Sequence, residues 1–320
     1  PCILAEDECY NCEWSTELTV PQAREEYVKA WCACKILARV WGLGDPEGFV
    51  FNMSVGYDLE GIQGEKIDGY LNGMMDASGT PVFQECLRVL RDMFPRETAF
   101  INAISPRVSR SVTVSTLHGC PPEEIERIAS YLLTEKGLHT YVKCNPTILG
   151  YQSAREILDG MGYGYVSFDE HHFREDLQYG DAIPMFRRLL ALAGERGLEC
   201  GLKLSNTFPV EVKNRELPAE EMYMAGKSLF PLTIEMARRV SRDFDGRLRL
   251  SYSGGADYFN IDRLFQCGVW PVTMATTALK PGGYQRFTQI AEKLEALPFA
   301  PFTRVDTEGV ETLALAARRD

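Results

Sequence analysis

The spacing of apolar positions changes period twice between residues 112 and 146. Val112 and Val114 alternate with polar neighbours as in a strand, whereas Ile125, Ile128, Ala129, Leu132 and Leu133 recur at helical spacing behind Pro121 and Pro122. Gly137 stops that helix, and a second strand runs through Val142, Lys143 and Cys144. This is a βαβ unit. A right-handed crossover returns its second strand parallel to the first, so Cys120 and Lys143 are expected at or near one end of the sheet, the end at which α/β folds carry out chemistry.

The same alternation runs through the rest of the chain. An apolar face on Ala23, Tyr27, Ala30, Trp31, Ile36, Leu37 and Val40 predicts a helix over 22–41, opened by Pro21 and closed by Gly42 and Gly44. The nearly continuous apolar run 49–55 reads as a strand covered on both faces, followed by helices over 66–75 and 81–93. After Lys143 come a helix over 153–161, a strand at 164–168, a helix over 183–196 and a strand at 200–207. A longer loop through 218–224, a helix over 229–244, a strand at 248–254, a helix over 262–267 and a strand at 269–276 complete the series. Seven core strands alternating with helices predict a TIM (β/α)₈ barrel lacking its first strand or strands, since closure needs eight. The chain opens at Pro1 in mid-element, as a piece of a longer polypeptide would. Residues 1–300 are read as the barrel and 301–320, beyond the prolines at 298 and 301, as a tail leaving it for downstream modules.

A formal net charge of −11 leaves no basic stripe, which disfavours nucleic acid and anionic membrane as partners and leaves a small molecule. No stretch is long and apolar enough to span a bilayer, and no signal peptide is visible. Ten cysteines spread through helices and strands fit free thiols in a reducing cytoplasm, and oligomer formation is left open.

Several residues could carry chemistry. Lys143, inside a strand, must find an anion, a dipole or an open cavity to offset desolvation, unless it reaches solvent at the rim; Lys203 in GLKLSN invites the same argument. Cys120 in HGCPP sits where helix N–H groups lower a thiol's pKa, although a buried inert thiol is the commoner case. Ser253-Gly254-Gly255-Ala256 and Ala275-Thr276-Thr277 end the last two strands, where barrels cradle phosphate, or else are plain tight turns. Asn52, Asn145 and Asn206, with Thr207, fall at strand ends and could bind the polar edge of a planar ring. Cys9-x-x-Cys12 with Cys32-x-Cys34 is a poor metal site because Cys32 and Cys34 lie on different faces of a helix, and His171-His172 reads as an exposed charged loop.

Residues 117–121 (LHGCP) and 141–146 (YVKCNP) resemble the corresponding segments of the dihydroorotate and dihydropyrimidine dehydrogenase flavin barrels. More closely, FNMSVGYDLEGI, STLHGCPPEEIE, EEMYMAGKSLFPL, SYSGGA and TMATTALKPGGY are similar, over nearly the whole chain, to the selenate reductase subunit (YgfK-like) family of large iron-sulfur flavoproteins. The resemblance implies an FMN-type oxidoreductase barrel acting on a small planar substrate. FAD and iron-sulfur clusters would belong to modules outside this chain, and electron-donating redox domains or subunits would be its partners. It makes Cys120 the general acid/base, Lys143 or Lys203 the flavin-contacting cation, Asn206 and Thr207 ring or substrate contacts, and the two small-residue loops the phosphate site. The alternatives are a non-catalytic barrel that docks redox partners, and a Schiff-base lyase using Lys143 or Lys203.

Overall fold

The computed structural model describes residues 2–4, 9–11, 18–115 and 119–319, with the backbone alone for the first two stretches. Five strands, β3 (Phe51–Val55), β4 (Ser109–Ser115), β5 (His139–Cys144), β6 (Cys200–Leu204) and β9 (Arg249–Tyr252), form an all-parallel sheet in that order. A sixth segment joins through a parallel bridge between Tyr252 and Val272. The chain is therefore α/β with a parallel sheet, as the alternating pattern predicts.

Burial follows the period-two rule on these strands. Met53, Val55, Val112 and Val114 point to one cluster with Val28, Trp31, Ile36, Leu71 and Met74. Val142, Leu202, Leu204, Leu250 and Tyr252 point to another with Phe186, Leu189, Leu232 and Met236. The opposite positions are polar: Ser111, Thr113, Lys143, Lys203 and Ser251 line cavities instead.

The helix Val20–Trp41 shows how local signals set one element. Thr19 caps it with a capping box, accepting from the Gln22 N–H while Gln22 Oε1 accepts from the Thr19 N–H at 2.9 Å. Gly42, at φ 64°, closes it.

A second sheet departs from the expected loop. β7 (Phe208–Glu211) and β8 (Glu221–Ala225) form an antiparallel pair between β6 and the helix Phe230–Asp243, and β2 (Cys9–Asn11) and β1 (Cys2–Leu4) extend it in the order β1-β2-β8-β7. Residues 164–168 are not a strand. Val166 and Phe168 are buried, but the segment forms no ladder: Arg155 donates to the carbonyls of Val166 and Tyr163, and one backbone bond, from the Glu211 N–H to Ser167 O at 2.7 Å, ties it to the end of β7. The 269–276 segment likewise makes the single bridge at Val272 rather than a full strand.

Residues 301–319 do not leave as a tail. The helix Thr307–Ala316 buries Val310, Leu313 and Ala314 against the main core, the Val305 N–H bonds to Gly246 O, and Arg318 pairs with the buried Glu235. Among the described residues no helix is long and apolar enough to cross a membrane.

Candidate functional site

The pairing register sets Lys143 of β5 directly beside Lys203 of β6, and Lys203 beside Ser251 of β9. Both lysines therefore face one cavity of about 510 Å³ at the C-terminal rim of the sheet. The sequence offered them as competing candidates; the fold uses them as a pair. Burial lowers the Lys143 ammonium from its ordinary value of 10.5, and the Lys203 charge lowers it further. Burial also lowers Lys203, whose Nζ donates to Thr273 Oγ1 at 3.0 Å. Two half-buried ammoniums side by side are poised for an anion.

The walls come from the loops that follow β6, β9 and the bridged segment. Asn206, Thr207, Ser253, Gly254, Gly255, Ala275 and Thr276 all line the same cavity. Ser205 Oγ bonds Thr233 at 3.0 Å, and Ser253 Oγ donates to Ser205 O at 2.8 Å, locking two of these loops to each other and to the helix Phe230–Asp243. Gly254 and Gly255 take φ of 96° and 90°. A Cβ on Gly254 would meet Thr233 Oγ1 at 2.6 Å, and one on Gly255 would meet Gly226 O at 2.8 Å. These glycines are thus required by the loop's press against that helix, in addition to whatever the loop binds.

Three cations that motif reading passed over, Lys227, Lys280 and Arg286, also line the cavity, against Asp257 as the one carboxylate among the described residues. Lys227 follows β8 at the start of a 3₁₀ turn, and the other two belong to the KPGGYQR stretch, so their common destination depended on the tertiary fold. Tyr258 and Phe259 add exposed rings at the mouth.

Cys120 and Asn145 lie in an adjoining small recess that shares Lys143 as a wall and includes Thr147 and Asp176. The thiol is half-buried, and its pKa is raised rather than lowered: burial acts first, and the Glu124 and Asp58 carboxylates add to it. The expected effect of the helix start is overridden, first by burial and then by Glu124 in the first turn of that helix. Residues 116–118 of the LHGCP segment lie outside the described residues. Asp176 belonged to no recognisable motif; its role emerges only when the loops after β4 and β5 are seen to meet on it.

Asn52 is not part of this assembly. It is the second residue of β3, near the opposite end of the sheet, where Nδ2 donates to Thr113 Oγ1 at 3.0 Å and Oδ1 accepts from Ser111 Oγ at 2.7 Å. There it lines a second cavity of about 690 Å³, walled in part by Trp31, Phe49, Phe51 and Trp270, which shares Lys203 and Thr273 with the first. The strand runs from Phe51 to Val55, so Asn52 stands at its N-terminal start and not at the C-terminal end, where the other strand-end residues gather.

Of the proposed cysteine cluster, Cys32 is buried and Cys34 exposed on one helix, and the side chains of Cys9 and Cys12 lie outside the described residues. His171 and His172 pair with Glu175 and Glu221 at 3.3 and 2.9 Å.

Comparison with known proteins adds the lineage. The YgfK protein of Escherichia coli strain K12 is 46% identical over 99% of this chain, and its O157:H7 counterpart matches equally. The chain spans about a third of the length of these relatives, 32% in each case. Two solved structures of DHODH from Eimeria tenella also match. The ligand-free form aligns at a TM-score of 0.35 and 13% identity, covering 67% of each chain. The complex with ferulenol aligns at 0.33 and 12%, over 88% of this chain and 56% of that one. At such scores the superposition carries no weight for the site. The family model described as oxidoreductase YgfK, N-terminal TIM-barrel domain, matches residues 1–320, and this chain belongs to that family.

Proposed function

We propose that this chain is an FMN-dependent oxidoreductase barrel that reduces or oxidises a small planar substrate, with electrons exchanged through further domains of a larger protein. The observation that carries the reading is the pair Lys143 and Lys203 in a cavity whose other walls are the Ser253–Ala256 and Ala275–Thr277 loops. Its volume of about 510 Å³ falls within the roughly 300–1,000 Å³ typical of small-molecule and cofactor sites. The donor set fits the group: ammoniums for the electron-rich edge of the ring, Asn206 and Thr207 for its polar atoms, and small-residue loops with Lys227, Lys280 and Arg286 for a phosphate.

When bound, the flavin supplies hydride chemistry. The chain's own residues do the rest. Lys143 and Lys203 stabilise negative charge at the cavity floor. Cys120, one wall away, holds a proton on Sγ and delivers it to the substrate. A thiol with a raised pKa stays protonated at neutral pH, so it acts as an acid in the reductive direction.

The test is titration of FMN with the purified chain, followed by quenching of flavin fluorescence. Saturable uptake that drops at least about tenfold in Lys143→Met and in Lys203→Met is expected, a loss of about 1.4 kcal/mol or more. No uptake by the chain, together with a flavin-free full-length protein, sinks the proposal.

One observation favours a second reading. A half-buried lysine whose pKa is lowered by desolvation and by a neighbouring ammonium is also set up to attack a carbonyl as a free amine, losing water to form a Schiff base. Borohydride reduction in the presence of a carbonyl compound, read as a mass increase on the Lys143 peptide, separates the two.

A further inference from the structure

We propose that Asp176 is a positioning residue that holds the Cys120 loop against the Lys143 strand. The carboxylate is buried, with 5% of the residue exposed, and follows the short helix His171–Glu175. Its Oδ1 accepts the Gly119 N–H at 3.2 Å. Its Oδ2 accepts from Asn145 Nδ2 at 3.1 Å and from Thr147 Oγ1 at 2.6 Å. One side chain thereby joins the loop after β4, immediately before Cys120, to the loop after β5, two residues beyond Lys143. Cys120, Lys143, Asn145, Thr147 and Asp176 line a single recess.

Asp176 is itself fixed. Its N–H donates to His172 O at 3.0 Å, and Gln178 Nε2 donates to its carbonyl at 2.6 Å and to that of Phe173 at 2.7 Å. The turn it holds is one that only a glycine enters easily: Gly119 has φ of 77°, and a Cβ there would meet nothing closer than Glu175 Cβ at 4.0 Å. Backbone conformation, rather than space, therefore demands glycine, and the bond from Gly119 to Asp176 keeps that turn in place. An ionised carboxylate accepts at both oxygens, so it can serve donors from two loops at once. An amide of the same shape has one acceptor oxygen in place of two: with that oxygen on Gly119, the Thr147 hydroxyl loses its acceptor, and the new NH₂ faces the NH₂ of Asn145 unless Asn145 turns its own amide over.

The role rests on the proton-donor reading of Cys120, but its test reads the thiol directly. In the intact chain the titratable groups that face Cys120 are Glu124 in the first turn of the helix Pro122–Thr134 that follows it, Asp58 ahead of the helix Leu59–Gln63, and Lys143, Cys144 and Asp176 itself around the recess. Releasing the loop moves the thiol out of this burial and toward its ordinary value. Alkylation of Cys120 by iodoacetamide, quantified by peptide mapping across pH, is compared in wild type, Asp176→Asn and the swapped pair Asp176→Asn with Asn145→Asp. Asp176→Asn is expected to move the pH midpoint down and to raise the neutral-pH rate roughly threefold or more. The swap restores a carboxylate opposite an amide and is expected to return both values to wild type. A folded Asp176→Asn protein with wild-type rate and midpoint overturns the proposal. Should Asp176→Asn fail to fold, the swap decides: wild-type alkylation supports the role, and a released thiol or an unfolded protein overturns it. Flavin uptake is measured on the same samples; a wild-type chain that takes up none removes the functional reading and leaves the alkylation result standing.

Discussion

At the scale of single residues the site is governed by desolvation. Burial lowers both Lys143 and Lys203, and the Lys203 charge adds to the effect on Lys143, so each ammonium is held less firmly than a surface lysine. An anionic ligand reverses this, because it favours the charged forms and draws protons onto them. Affinity for FMN should therefore be full while both groups are protonated, and should decline as pH rises through their lowered folded values, before the 10.5 of an ordinary lysine is reached. Fluorescence titration between neutral pH and about pH 10 checks this; a flat profile would mean that neither lysine meets the flavin's charge. Cys120 carries a different prediction. Cys120→Ala removes the proton donor and leaves the larger cavity's lining intact, so turnover should fall about 100-fold or more while FMN affinity stays within a factor of about two. Turnover at the wild-type rate would assign the proton to another group.

At the scale of elements, the sequence was most legible where periodicity and punctuation agreed. The helix Pro81–Met93 falls where predicted because Pro81 opens it and the apolar spacing is strong, and the β4–helix–β5 unit follows its two changes of period. Failures came where side chains replaced ladder partners. Residues 164–168 have strand-like burial, but the Val166 carbonyl goes to Arg155, eleven residues away in sequence, and the Ser167 carbonyl to the end of β7, so no ladder forms, a result that no propensity reveals. The β7–β8 pair was hidden by Pro209, which a strand tolerates at the edge of a sheet, where β7 lies. The site was legible in part for a related reason. Lys143, Lys203 and the loops after β6 and β9 sit at strand ends and could be read from the strand order, whereas Asp176, Lys280 and Arg286 reach the site from connecting segments. The loop after β9 yields a prediction of its own. Gly255→Ala places a Cβ at φ 90° and 2.8 Å from Gly226 O, so it should cost at least about 2 kcal/mol, read as a lower urea midpoint, and weaken FMN uptake by displacing the loop. Unchanged stability and uptake would show that the loop shifts freely and is not the phosphate wall.

At the scale of the molecule, a chain with a formal charge of −11 concentrates five cations around one cavity and ties its last helix down with a buried carboxylate. That carboxylate is Glu235, 1% exposed on the helix Phe230–Asp243, whose N-terminal end carries the Thr233 that braces the site loops. Burial pushes its pKa up, but hydrogen bonds from Arg238 and Arg239 and the charges of Arg238 and Arg318 outweigh it and bring the value to about 2. Arg318 lies beyond the helix Thr307–Ala316, so the ion pair at 3.0 Å fastens residues 307–318 to the element that shapes the cavity. In the unfolded chain the carboxyl titrates near 4.5. The folded value is the lower one, so the contribution is complete above about pH 4.5 and fades as pH falls from there through about 2; the shift corresponds to on the order of 3 kcal/mol. Glu235→Gln should lower the urea midpoint at neutral pH and show a shallower loss of stability between pH 4.5 and pH 2, with the two proteins converging at the acid end. Parallel curves for wild type and variant across that window would mean that the arginines are equally well served without the charge, and that the packing of Val310, Leu313 and Ala314 alone holds the last helix in place.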